Sequence, residues 1–168
     1  MPHPLVTQLR FARSEFVRAL NGVSEADGTR RLLPMNCIAW NVGHLAHQEQ
    51  TYWVYLAQGR MVVPGLREIV GWGCGATTPS LKGMWQTWRV ITAAADEYLD
   101  SVTQDILLTH FEDEDGPVRE SVGTLVLRNI GHYWYHLGES HAIRQMLGHK
   151  DLPQFVGDMS EALYRPEG

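Results

Sequence analysis

The sequence predicts an all-α protein, a four-helix bundle with long crossover loops, formed as one domain over residues 1–168. Three observations carry this expectation. Four segments repeat their apolar residues with the 3.6-residue period of a helix. Strand signals are weak beside them. A chain of 168 residues also has the size of one domain and can bury a core without a disulfide or a structural metal.

In the first segment Leu5, Leu9, Ala12, Phe16 and Leu20 share a face, with Arg10, Arg13, Glu15 and Arg18 between them and Asn21-Gly22 as the end signal. The second spans residues 35–58 after Pro34, with Ile38, Val42, Leu45, Tyr52 and Leu56 as its apolar row and Gly59 as its stop. The third starts at Thr78-Pro79-Ser80 and repeats through Leu81, Met84, Trp88, Ile91, Ala95 and Leu99. The fourth covers residues 121–147, carries Val122, Val126, Ile130, Tyr133 and Leu137 in one row, and stops at Gly148. A last amphipathic stretch, residues 155–164, reads as a short terminal helix.

Residues 21–34 suffice to turn a helix hairpin, whereas 59–79 and 101–120 are longer than most connections in compact domains and read as crossover or covering loops. The first of these holds Gly71-Trp72-Gly73-Cys74-Gly75, without the preceding strand or following helix that a phosphate-binding loop needs. The second holds Glu112-Asp113-Glu114-Asp115-Gly116, which lacks the ligand spacing of a calcium loop and reads as a solvated turn.

Composition narrows the function. Fourteen Lys+Arg against nineteen Asp+Glu give a net charge of -5, so the basic face of a nucleic-acid binder is missing from the totals. No apolar run is long enough to span a membrane, and the N-terminal residues lack a secretory pattern. Two cysteines, Cys37 and Cys74, without a C-x-x-C pair fit a reduced, cytoplasmic protein. Histidine is the surplus: eight residues.

Position on the helices sorts them. A second row on the fourth helix reads Leu125, Asn129, His132, His136, Ser140, Ile143 and Leu147, apolar at both ends and polar in the middle. That pattern is an inward face interrupted at mid-height by a polar centre. His132 and His136, four residues apart, lie on one helix face within reach of one ion, and Glu139 joins them. On the second helix the row Cys37, Asn41, His44, Gln48, Thr51 and Tyr55 is likewise polar at its centre, with His44 there and His47 as the reserve. His141 falls on the opposite side of its helix from His132. His3, His110 and His149 read as solvent-facing, with His110 a lesser candidate for lining a pocket. Three neutral imidazoles suit divalent zinc, nickel, copper or iron, and three protein ligands leave coordination positions open, as catalytic metals require.

The segments Ile38-Ala39-Trp40-Asn41-Val42-Gly43-His44-Leu45-Ala46, His132-Tyr133-Trp134-Tyr135-His136-Leu137-Gly138-Glu139 and Arg144-Gln145-Met146-Leu147-Gly148 resemble the DinB/YfiT-like family, over roughly residues 1–150. The resemblance implies a four-helix bundle, a homodimer, and a divalent metal, zinc or nickel foremost, on His44, His132 and His136. Glu139 stands where many members of that family have glutamine, and it is expected either to act as a catalytic base or to hydrogen-bond a ligand. The implied activities are metal-dependent hydrolysis and transfer to low-molecular-weight thiols, with Glu139 or Asp113 handling the proton on a small-molecule substrate. The rival readings are a metal-containing binding or stress-response module without turnover, and a metal-free helical interaction protein.

Overall fold

Proline and serine start signals, and glycine stops, set the helix ends in the computed structural model, which describes residues 2–154 and 156–163. Helix α1 (Pro4–Ala19) opens with Pro in its first turn and with His3 accepting from the Leu5 N–H at 3.1 Å. After the short α2 (Glu25–Thr29), α3 (Ile38–Glu49) runs without a break into a π-helical segment, Gln50–Leu56, and the chain turns at Gly59 with φ +66. A short α4 (Leu66–Val70) precedes α5 (Leu81–Leu99), capped by Ser80, and a single turn, α6 (Gln104–Leu107). Strands β1 (His110–Asp113) and β2 (Gly116–Ser121) form an antiparallel hairpin. Helix α7 (Val122–Met146), capped by Ser121, ends before Gly148, which takes a φ of +82 that only glycine adopts freely.

The four long helices are the four predicted ones, and the fold is all-α with a small hairpin added. Helix α1 packs on α7, α3 packs on both α5 and α7, and α4 lies against α3. The core between them takes Leu9, Ala12 and Phe16 from α1, Ile38, Val42 and Leu45 from α3, Ile91, Ala95 and Leu99 from α5, and Val122, Val126 and Tyr133 from α7, all fully buried.

Several expectations are corrected. The second helix starts at Ile38 rather than residue 35, and its last turns are wider than α-helical turns. That widening brings Trp53 and Val54 into the core and leaves Tyr52 and Leu56, the expected ends of the apolar row, half-buried. The acidic stretch at 112–116 is the exposed turn expected, and it forms the tip of a β-hairpin that was not: Asp113 pairs with Gly116, whose φ of +107 closes a two-residue connection. Phe111 supplies the inward side chain that ties this hairpin to Trp53 and Tyr98. The expected terminal helix at 155–164 reduces to one 3-10 turn, Ser160–Ala162; Phe155 and Tyr164 lie outside the described residues.

A buried network of ion pairs and hydrogen bonds joins the four long helices. Arg13 on α1 and Glu49 on α3 form a two-pronged pair, with Nε to Oε1 at 2.7 Å, and Arg13 reaches Asp96 on α5 at 2.8 Å. The Tyr133 hydroxyl donates to Glu49 at 2.7 Å and accepts from the Trp88 indole at 2.8 Å. Glu49 is fully buried, so all of its charge is compensated inside the bundle.

Candidate metal centre

His44, His132 and His136 meet where α3 faces α7, each offering a ring nitrogen, with the three nitrogens within 4.8 Å of one another. Helical period explains the pair on α7: His132 and His136 are one turn apart and their ring centroids are 4.6 Å apart. His44 comes from the middle of α3, 4.9 Å from the His132 ring and 5.2 Å from that of His136. One turn further along the same helix contact, Asn41 donates to the Ser140 hydroxyl at 3.1 Å and clasps α3 to α7.

Two of the three rings are oriented from behind. His44 Nδ1 lies 2.7 Å from the Val70 carbonyl at the end of α4, and the ring stacks on Trp40 at 4.4 Å between centroids. His136 Nδ1 lies 2.7 Å from Oε2 of Glu139. Both Nδ1 atoms therefore carry the proton, and both Nε2 lone pairs are left for the centre. His132 presents Nε2 as well, 2.9 Å from His136 Nε2, while its Nδ1 is buried without a hydrogen-bond partner. When its Nε2 meets an ion the His132 proton moves to Nδ1, and the buried N–H there has no acceptor among the described residues.

Burial, reinforced by the neighbouring imidazoles, lowers the His44 pKa to about 4 and the His132 pKa to about 3, against the Val70 carbonyl, which pulls that of His44 upward. Both are neutral at pH 7 and able to coordinate. Two nitrogen donors with correctly placed proton acceptors behind them, and a third whose ring nitrogen lies within 4.8 Å of both, fit a divalent transition metal.

His44 and His132 open onto a cavity of about 520 Å³. Gln48, Thr51 and Tyr52 from the α3 side, Trp72 from the glycine-rich loop, and Arg128 and Tyr135 from α7 complete its wall. His47 also lines it, half-buried, outside the three-histidine group; burial lowers its pKa. Asp113 lines an adjoining cavity that shares His47, Thr51 and Trp72 with the first.

A model of the DinB superfamily matches residues 8–140. The chain belongs to the DinB superfamily. No curated protein matches it. The superfamily match runs from within α1 through most of α7 and includes all three histidines.

The remaining histidines of this DinB-superfamily chain have other surroundings. His110 holds the Val118 carbonyl across the hairpin, and His149 bridges Arg144 and Asp27. His3 caps α1 and bonds Gln104, so it is not simply solvent-facing. His141 is outside the group. Sequence reasoning missed the Val70 carbonyl and the stacking of Trp40, since neither is a side-chain donor with a recognisable spacing. Gln48 and Thr51 were within reach, because they continue the polar row of His44.

Proposed function

We propose that this protein holds a divalent transition-metal ion, zinc or nickel, on His44, His132 and His136, and acts on a small molecule in the adjoining cavity as a metal-dependent hydrolase or a low-molecular-weight-thiol-dependent transferase. The observation that carries this reading is the convergence of three inward imidazoles at the wall of a cavity, with a proton acceptor behind two of them. A divalent ion bound there supplies Lewis acidity, lowering the pKa of a water or thiol at its open positions toward neutrality. The chain's own groups do the rest. Val70 and Glu139 keep two ligand rings in their coordinating tautomer, and Trp72, Tyr52 and Tyr135 give the cavity wall aromatic surface for a bound molecule.

The geometry favours a positioning role for Glu139 over that of a base, because its Oε2 is engaged with His136. A second reading, a metal-containing binding module without turnover, draws support from one observation: among the described residues no carboxylate lines this cavity.

Elemental analysis of tag-free protein refilled with zinc or nickel tests the metal. About one equivalent per chain is expected, lost in His132→Ala and kept in His141→Ala. Less than about a tenth of an equivalent in the unsubstituted protein would sink the site. Turnover across an ester, amide and thiol-transfer panel then separates the enzyme from the binding module.

A further inference from the structure

The wall beside the three histidines carries a chain of hydrogen bonds whose direction is set at its buried end. Trp53 is fully buried, and its indole has one polar group, an N–H that can only donate. It donates to Oδ1 of Asn129 at 2.8 Å. The Asn129 amide is thereby oriented, and its Nδ2 donates to Oε1 of Gln48 at 2.8 Å. Asn129 is itself fully buried, so water does not compete for its bond with Trp53.

With its oxygen occupied on the buried side, Gln48 turns its NH2 group toward the cavity. One turn on, the Tyr52 phenol adds an O–H that can donate from the same wall. Gln48 and Tyr52 both line the cavity with His44 and His132. Arg128 stands on the same wall, and no carboxylate does among the described residues. Arg128 is held by Glu120, with Nε to Oε2 at 2.8 Å, so the wall offers neutral donors beside the aromatic rings of Tyr52, Trp72 and Tyr135.

We infer that Gln48 and Tyr52 bind an acceptor oxygen, carboxylate or carbonyl, of a substrate with an apolar or aromatic body, and that Asn129 and Trp53 are positioning residues that hold Gln48 with its donor outward. This rests on the reading of the cavity as the substrate site and narrows the class of molecule that enters it. The metal is not needed for the donors to be in place, because the relay closes within the protein.

Benzoate is the probe, and phenylmethanethiol, with the same ring and no acceptor oxygen, is the contrast. NMR follows the Gln48 side-chain amide in metal-free protein, and the visible spectrum follows the cobalt-substituted protein. Saturable benzoate binding that shifts the Gln48 amide resonances is expected. It weakens about tenfold in Gln48→Met, the loss of one hydrogen bond to a charged group, and further in Gln48→Glu, while phenylmethanethiol binding changes by less than about twofold. Undiminished benzoate binding in Gln48→Met, or no saturable binding to either form of the unsubstituted protein, overturns the inference. If a variant fails to fold, the unsubstituted protein decides: benzoate bound without moving the Gln48 resonances overturns it equally. Failure to take up cobalt overturns the metal reading instead, and the metal-free titration still tests the donors.

Discussion

Glu139 places its carboxylate 2.7 Å from Nδ1 of His136, behind the ring rather than in front of it. The acid completes a carboxylate–histidine arrangement that fixes the tautomer and raises the basicity of the other nitrogen. Glu139→Ala is expected to weaken metal affinity about 10- to 100-fold, and Glu139→Gln, which still accepts through its amide oxygen, less. Competition against a chelator measures both. Equal affinities in all three proteins would remove Glu139 from the centre.

The buried pair of Arg13 and Glu49 predicts a stability effect remote from the cavity. Glu49→Ala leaves the Arg13 guanidinium short of its main counter-charge and the Tyr133 hydroxyl without its acceptor, in a place where neither meets water. A loss of about 3–5 kcal/mol is expected in urea denaturation. A loss below about 1 kcal/mol would mean that Asp96 alone satisfies Arg13.

Gly43 sits one residue before His44, where α3 crosses α5 and α4. A Cβ there would meet Met84 Sδ at 2.5 Å and Val70 Cγ1 at 2.9 Å. Gly43→Ala therefore forces the Met84 and Val70 side chains to give way, with a cost of about 1–3 kcal/mol. Because Val70 also holds His44 through its carbonyl, metal affinity is expected to fall together with stability. An unchanged affinity in a destabilised protein would show that the Val70 contact does not orient the ligand.

The depressed pKa values of His44 and His132 set a pH dependence for the metal-free protein. Between the ordinary value of 6.5 and the folded values of about 4 and about 3, the unfolded chain binds more protons than the folded one. Stability from these groups is therefore complete above pH 6.5 and declines as pH falls through that window, by about 1.4 kcal/mol per pH unit for each proton. Denaturation series at pH 7 and at pH 5 check the sign. Equal stability at the two would contradict the burial of the two rings.

Helix positions were readable because each long helix carries its own evidence: an apolar row, a start signal such as Ser80 or Ser121, and a glycine stop at Gly59 or Gly148. The π-helical turns at Gln50–Leu56 were not, because the apolar residues there fit an α-helical row almost as well, and only packing of Trp53 and Val54 chooses between them. The hairpin escaped for a similar reason. Its acidic tip has little apolar alternation, and Phe111 acquires an inward role only against Trp53 and Tyr98.

The sequence by itself determined which histidines share a helix face, since the 3.6-residue period is a local property: His132 with His136 on one helix, His44 at the polar centre of another. Tertiary structure alone decided that these faces meet, that the Val70 carbonyl stands behind His44, and that Trp53, through Asn129, turns the Gln48 amide toward the cavity. The physical reason is that tautomer and amide direction are set by partners brought together by packing, from elements far apart in the chain, and no spacing within one helix encodes them.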